Sequence, residues 1–392
     1  MDTKRLILAL ALSAAVLIVW TMLFPPPPPR PAPPSPTPAA TKAPASQAPA
    51  PTVVPTAPAA PAPPPVSVPP VAAAAEETVA VDAGLYHATL SNRGGTIRSF
   101  TLKRFQDAAG RPLDLVRHGA GFPGFTLAPD PSDPFLARAG QALFKVEKAE
   151  KDGAVTILFR YREADGSGLV RTYVFRSGYV VSATLEREGA PGQPAGAVLG
   201  PGIGNPSAEE LKSQYTRPGS AVALGATGSV TRKANGELKE PMPVGPGLTA
   251  VGLEDNYFLA AFLPAPAAAA TFRPQTVTGA PAADGKEPPA LSENTVVLSG
   301  AGAVSTDLYF GPKDIGVLEK IRPGMDRLID YGWFAILVKP LLWTLKEIQS
   351  VVRNWGVAIL VITVLIKLLL YPLTHKQLVS MKKMGALQPK ME

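Results

Sequence analysis

The 392-residue chain has no cysteine and only three histidines, His87, His118 and His375. Without thiols no disulfide can staple the fold, and redox compartment cannot be read from cysteine usage. Zinc sites of the Cys/His type are excluded as well, since the histidines are far apart and no carboxylate sits at ligand spacing, so no metal is expected. No phosphate loop of the form G-x-x-x-x-G-K-[ST] occurs, so no nucleotide cofactor is expected. The net charge of +7 is modest for this length. Basic residues gather beside the apolar runs and form no aromatic-interleaved face in the folded middle, which argues against nucleic acid as a specific ligand. Between Pro25 and Ala75 aromatics are missing entirely, and Arg30 and Lys42 are the only charges among 51 residues that include 21 prolines and 15 alanines. Such a segment cannot bury a core; it reads as an extended tether reaching at most about 160 Å at ~3.1 Å per residue.

Two long apolar runs are present. The first, Leu6 to Phe24, has 19 residues and follows Lys4 and Arg5, which predicts an uncleaved transmembrane anchor over 1–24 with a cytoplasmic N-terminus. A cleaved signal peptide is the alternative, but its apolar region is normally shorter, and Pro25 to Pro29 are a poor context for cleavage. The second run, Trp355 to Leu373, contains a single charge, Lys367. A lysine near mid-bilayer costs roughly 2.5–3.5 kcal/mol, so it needs a partner or water. Thr363, Lys367 and Tyr371 recur every four residues and share one helical face, with Thr374 near the same line. Either this face lines a polar groove or Lys367 snorkels to the headgroups. His375, Lys376, Lys382, Lys383 and Lys390 follow the run, which places its exit in the cytoplasm and everything from 25 to 353 on the other side.

Between the runs the texture is that of antiparallel strands. Tyr86, Ala88 and Leu90 alternate before the turn Asn92-Arg93-Gly94-Gly95. Val155, Ile157, Phe159 and Tyr161 alternate before Asp165-Gly166, then Leu169, Arg171, Tyr173 and Phe175, and then Tyr179, Val181, Ala183 and Leu185. One large antiparallel β-sandwich over 76–325 fits this pattern. Residues 326–353 read as an amphipathic interfacial helix, with Leu341, Leu342, Leu345, Ile348 and Val352 on one face and Lys346, Glu347, Gln349 and Ser350 on the other; Trp333 and Trp343 flank Pro340, as aromatics do at a bilayer surface. A helix packed on the sandwich would show the same amphipathicity. A second span over 354–374 and the start of a cytoplasmic helix over 375–392 complete the expected organisation.

Four motifs near the end, Asp330-Tyr331-Gly332-Trp333-Phe334, Asn354-Trp355-Gly356, Tyr371-Pro372-Leu373-Thr374 and Leu387-Gln388-Pro389-Lys390-Met391, are together specific in their order and spacing. They resemble the YidC/Oxa/Alb family of membrane insertases in its Gram-negative form. Tyr309-Phe310-Gly311-Pro312-Lys313 resembles the close of that family's periplasmic domain, and Asn92-Arg93-Gly94-Gly95 resembles a turn near its start. The similarity covers nearly the whole chain except the linker.

The resemblance implies a multi-pass inner-membrane protein with a periplasmic sandwich. Its implied work is insertion of newly made membrane proteins, alone or with the Sec translocon, with nascent chains, ribosome and bilayer as partners and no enzymatic step. It further implies that Lys367 occupies a groove position where the family often has arginine, and that Thr363 matches a groove-lining threonine. Lysine keeps the charge but loses the planar fork for carboxylates. Leu378, Met381 and Met384, spaced by three beside Lys382 and Lys383, suit contact with an emerging apolar chain or an anionic membrane surface; a solvated extension is the alternative. Glu392 falls inside what resembles the first helix of a cytoplasmic hairpin, so the chain is expected to be a fragment whose remaining groove walls lie elsewhere. Two rival classes stand beside this reading. A membrane-tethered periplasmic binding or scaffold protein of a secretion or envelope complex is the stronger alternative, since a fold alone does not fix function. An enzyme is disfavoured: the family's sandwich resembles sugar-mutarotase folds, but His87 and His118 are the only imidazoles in the domain.

Overall fold

The alternating runs fold into the strands their periodicity predicts, in a computed structural model that describes residues 69–385 except 108, 119–133, 190–193, 207–218, 266, 279–289 and 302. The first apolar run, the tether up to residue 68 and residues 386–392 therefore lie outside the described residues. Strands β1 (Thr78–Asp82), β2 (Tyr86–Ser91), β3 (Thr96–Gln106) and β4 (Pro112–Asp114) form one four-stranded sheet in that order. A short helix α1 (Pro134–Ala139) follows. Then come β5 (Lys145–Lys151), β6 (Ala154–Arg162), β7 (Gly168–Phe175), β8 (Val180–Glu188), β9 (Pro194–Leu199), β10 (Ser220–Gly225) and β11 (Val230–Ala234). The remaining strands are β12 (Met242–Val244), β13 (Leu248–Glu254), β14 (Phe258–Leu263), β15 (Ala269–Thr278), β16 (Ala290–Ala301) and β17 (Ala303–Pro312). A nine-stranded sheet runs β11-β10-β13-β14-β17-β8-β7-β6-β5, and a second four-stranded sheet runs β12-β15-β16-β9. All pairings are antiparallel.

Aromatic residues join the layers. Tyr86 of β2 stacks on Phe100 of β3 with centroids 4.4 Å apart, Phe100 meets Phe310 of β17 at 4.7 Å, and Tyr86 meets Phe175 of β7 at 6.4 Å. The first four-stranded sheet thus faces the centre of the nine-stranded one, as sandwich packing requires. The inward set of β7 is Leu169, Arg171, Tyr173 and Phe175, all buried. Arg171 sits among them without a carboxylate from the described residues: its Nη1 donates to the carbonyl oxygens of Gly94 and, at 3.5 Å, Gly95, and its guanidinium lies 5.2 Å from the Phe144 ring centroid. Burial draws its pKa down to about 10. Tyr173 Oη donates to the same Gly95 oxygen at 3.0 Å. Gly95 has φ +60, and a Cβ there would meet Arg171 Cδ at 3.1 Å, so the turn needs glycine for both conformation and space.

The chain leaves the sandwich along its own sheet. Helix α2 (Ile315–Ile321) starts at Asp314, whose side chain accepts from Val317 N at 3.2 Å, and a 3-10 turn covers Met325–Leu328. Leu318, Met325 and Leu328 are fully buried. Arg322 donates to the oxygens of Thr249 (3.1 Å), Pro264 (3.1 Å) and Leu263 (2.9 Å), and Arg232 donates to Leu328 O at 2.9 Å. The sandwich therefore extends past the expected 325/326 boundary, because Leu328 buries its side chain there and the long helix α3 begins only at Ala335 (Ala335–Val352).

After α3, Arg353 turns the chain with φ 55, and Asn354 Oδ1 accepts from Gly356 N (2.9 Å) and Val357 N (3.2 Å), capping α4 (Trp355–Gly385). The expected join at 374/375 is not marked by any break: α4 continues through Pro372 to Gly385. No described residue of α3 is buried; the helix contacts α4 and the 3-10 turn Gly332–Phe334, and Lys339 pairs with Asp326 of the Met325–Leu328 turn at 3.4 Å. Of the apolar face read from sequence, Leu342, Leu345 and Ile348 are half-buried and Leu341 and Val352 are exposed, as are Ile336, Trp343 and Val351 outside that face.

Candidate functional site

One helix among the described residues, Trp355–Gln377 within α4, is long and apolar enough to cross a membrane. Leu360, Leu365, Leu368, Leu369 and Leu373 on it are exposed, a surface stable only against lipid or other helices. Ala358 is buried and Ile362 and Ile366 are half-buried, which marks the side of α4 that meets α3. Lys367 lies one residue further round. From the ends of the candidate span it is about 18 Å and about 15 Å away at ~1.5 Å rise per residue. Measured to Leu373, where the apolar run itself ends, the second distance is about 9 Å, so Lys367 lies within the run and nearer its C-terminal end.

The structure brings Thr363, Lys367 and Tyr371 into one line, each exposed and about 6 Å from the next along the axis. Thr363 Oγ1 donates to Ile359 O at 2.7 Å, so its proton is used within the helix and its lone pairs remain open. Thr374 Oγ1 does the same to Leu370 O at 3.0 Å, and the Tyr371 ring lies 6.0 Å from that of His375. No described residue pairs with the Lys367 amine. The line is thus a polar stripe on an apolar helix, and among the described residues nothing encloses it. Met381, Lys382, Lys383 and Met384 continue the α4 backbone, and their side chains lie outside the described set.

Two polar clusters in the sandwich escape a reading of the sequence. His118 Nε2 lies 2.9 Å from Asp114 Oδ2, and His87 Nδ1 lies 3.9 Å from Asp82. Neither imidazole is buried, and among the described residues no group of acids and histidines could hold a metal. The second cluster surrounds a cavity of about 190 Å³ lined by Ser220, Arg232, Glu254, Asp255, Asn256, Lys313, Ile329 and Asp330. Glu254 is buried and joins Arg232 to Lys313, the latter at 3.3 Å, while Arg232 lies 3.9 Å from Asp330. Spacing along the chain gives no sign of this cluster, because its charged partners come from four separate segments.

Asp255 accepts from Tyr257 N and Phe258 N, both at 2.7 Å, yet burial pushes its carboxyl pKa up, outweighing those bonds and the nearby Lys313. A raised folded pKa means that the folded state holds the proton more tightly, so stability is lost as pH rises through the folded value. Asp255→Asn keeps an acceptor oxygen for both N–H groups and is never charged. It is expected to raise the melting temperature at pH 7.5, with the gain closing by pH 4 as Asp255 itself becomes neutral; calorimetry at the two pH values reads this.

An antiparallel sandwich followed by a helix long and apolar enough to cross a membrane is the arrangement of a membrane-attached protein. Comparison with known proteins agrees. Residues 78–344 match the family model of the YidC periplasmic domain, and residues 347–392 match that of the 60Kd inner membrane protein. The membrane protein insertase YidC of Syntrophus aciditrophicus is 28% identical over 410 residues, covering 99% of this chain and 73% of its own length. Those of Geobacter metallireducens (31%, 82% of this chain, 61% of its own length) and Anaeromyxobacter dehalogenans 2CP-C (32%, 100% and 71%) are similar. The chain belongs to the YidC family of membrane protein insertases. It spans 61% to 73% of the length of these three relatives. Among solved structures, YidC from Thermotoga maritima is 14% identical with TM-score 0.33, covering 82% of this chain and 76% of the other. A galactose mutarotase related enzyme from Lactobacillus acidophilus is 11% identical with TM-score 0.35, covering 60% and 97%.

Proposed function

We propose that this chain carries the insertase activity for which its relatives are named, and that Lys367 provides the fixed charge. The observation behind this reading is a lysine without a partner among the described residues inside the apolar run of α4, on a line with Thr363 and Tyr371. In hydrocarbon such an amine is unfavourable by roughly 2.5–3.5 kcal/mol, so the stripe must face water or an anion. A client with a short acidic segment supplies the anion, and pairing lowers the barrier to moving that segment through the bilayer. Its apolar part then leaves sideways along the exposed leucines of α4. In this reading residues 25–353 are periplasmic, the N-terminus and the end of α4 are cytoplasmic, and Met381, Lys382, Lys383 and Met384 contact clients or the membrane surface there. Nascent membrane proteins are the substrates, with ribosome and Sec translocon as the assemblies that deliver them.

The absence of cysteine makes the stripe directly testable, because any single replacement is a unique label site. In native membranes, cysteines at 363, 367 and 371 are expected to react with a charged maleimide, and cysteines at Leu360 and Leu368 are expected to stay unlabelled. Equal labelling at all five positions, or none at any, contradicts a wet stripe.

A further inference from the structure

Among the described residues, every exposed large apolar side chain but one lies at Phe334 or beyond. The exception is Tyr257, 72% exposed at the tip of the β13–β14 turn. Lone surface aromatics are common and need no explanation by themselves; the place of this one is what matters. Its backbone is held on both sides: Tyr257 N donates to Asp255 Oδ1 at 2.7 Å, and Lys313 N donates to Tyr257 O at 2.6 Å. The chain leaves the sandwich at the same end, since Ile329 and Asp330 line the cavity that Asp255 and Asn256 also line. Four residues after Asp330, the exposed apolar surface begins at Phe334 and Ile336.

We propose that the Asp255–Phe258 turn rests in the headgroup layer of the bilayer, with Tyr257 as its anchor. A phenol suits that layer, its ring apolar and its hydroxyl wet. The cavity beside it carries both signs of charge, Arg232 and Lys313 against Glu254, Asp255 and Asp330, which matches the ammonium and phosphate of a zwitterionic headgroup. The proposal rests on the reading that α4 spans the membrane, and it fixes which end of the sandwich faces the lipid. The β10–β11 turn is then the distant end. Glu254 pairs with Ser220 and Leu248 with Gly225, six residues apart along β13, so Thr227 sits about 20 Å further out at ~3.4 Å per residue.

The test uses the full chain in vesicles of phosphatidylethanolamine and phosphatidylglycerol, with one fluorescent label on Tyr257→Cys, Thr227→Cys or Val364→Cys. Headgroup spin-labelled lipid is expected to quench the label at 257 several-fold more than at 227, with iodide in the buffer showing the reverse order. A mid-chain spin label is expected to quench 364. If 257 behaves as 227 does while 364 remains quenched in the bilayer, the headgroup contact is wrong and the spanning helix stands. Iodide quenching at 364 removes the spanning reading and the proposal with it.

Discussion

Arg171→Ala is expected to destabilise the sandwich by about 2–5 kcal/mol, the range for emptying the space of a large buried side chain. Total stability of a domain is ~5–15 kcal/mol, so the variant retains little margin. Two losses combine. The Gly94 oxygen is left without its charged donor, and a volume once filled against Phe144 and Gly95 is emptied. Arg171→Met refills most of that volume and removes the penalty of a guanidinium that burial already disfavours, so it is expected to recover part of the loss. Urea denaturation followed by near-UV circular dichroism reads both. Tryptophan emission does not serve, because Trp20, Trp333, Trp343 and Trp355 all lie outside the sandwich. A cost under about 1 kcal/mol for the alanine variant would mean that Arg171 contributes no more than an ordinary surface residue.

The expected order of stability, alanine below methionine below wild type, also bears on what can be read in advance. The alternation of Leu169, Arg171, Tyr173 and Phe175 predicts a strand, and β7 is that strand. An arginine in the inward register is the visible sign of a buried clamp, but its acceptors are the Gly94 and Gly95 carbonyls, 77 and 76 residues away in sequence. Periodicity reports which side a residue faces and says nothing of what waits there. The same limit explains α3: amphipathicity marks Leu341, Leu342, Leu345, Ile348 and Val352 as one apolar face, and only Leu342, Leu345 and Ile348 of these are half-buried in a helix that contacts α4. Segment ends escape for a different reason. Leu328 belongs to the sandwich through tertiary burial, and α4 runs on past Thr374 because Pro372 removes one backbone donor without ending the helix.

The Lys367 stripe is legible because it depends on helical spacing alone, and α4 is a single uninterrupted helix across it. Its meaning depends on charge, which separates two replacements of similar length. Lys367→Arg preserves the cation and adds a planar fork for carboxylates, so insertion should remain near wild type. Lys367→Glu places an anion at the same depth, where it repels an acidic client segment and gains no partner among the described residues. Insertion of such clients is expected to fall at least about tenfold, equivalent to ~1.4 kcal/mol in a barrier. The sandwich, far along the chain from the substitution, should melt as before.

The most direct measurement is the insertion rate of a small client with an acidic translocated segment, in cells whose native gene carries wild type, Lys367→Arg or Lys367→Glu. The account predicts near-equal rates for the first two and a collapse for the third, relieved when the client's acidic residues are made neutral. Equal rates for all three would contradict a charge-based role for Lys367.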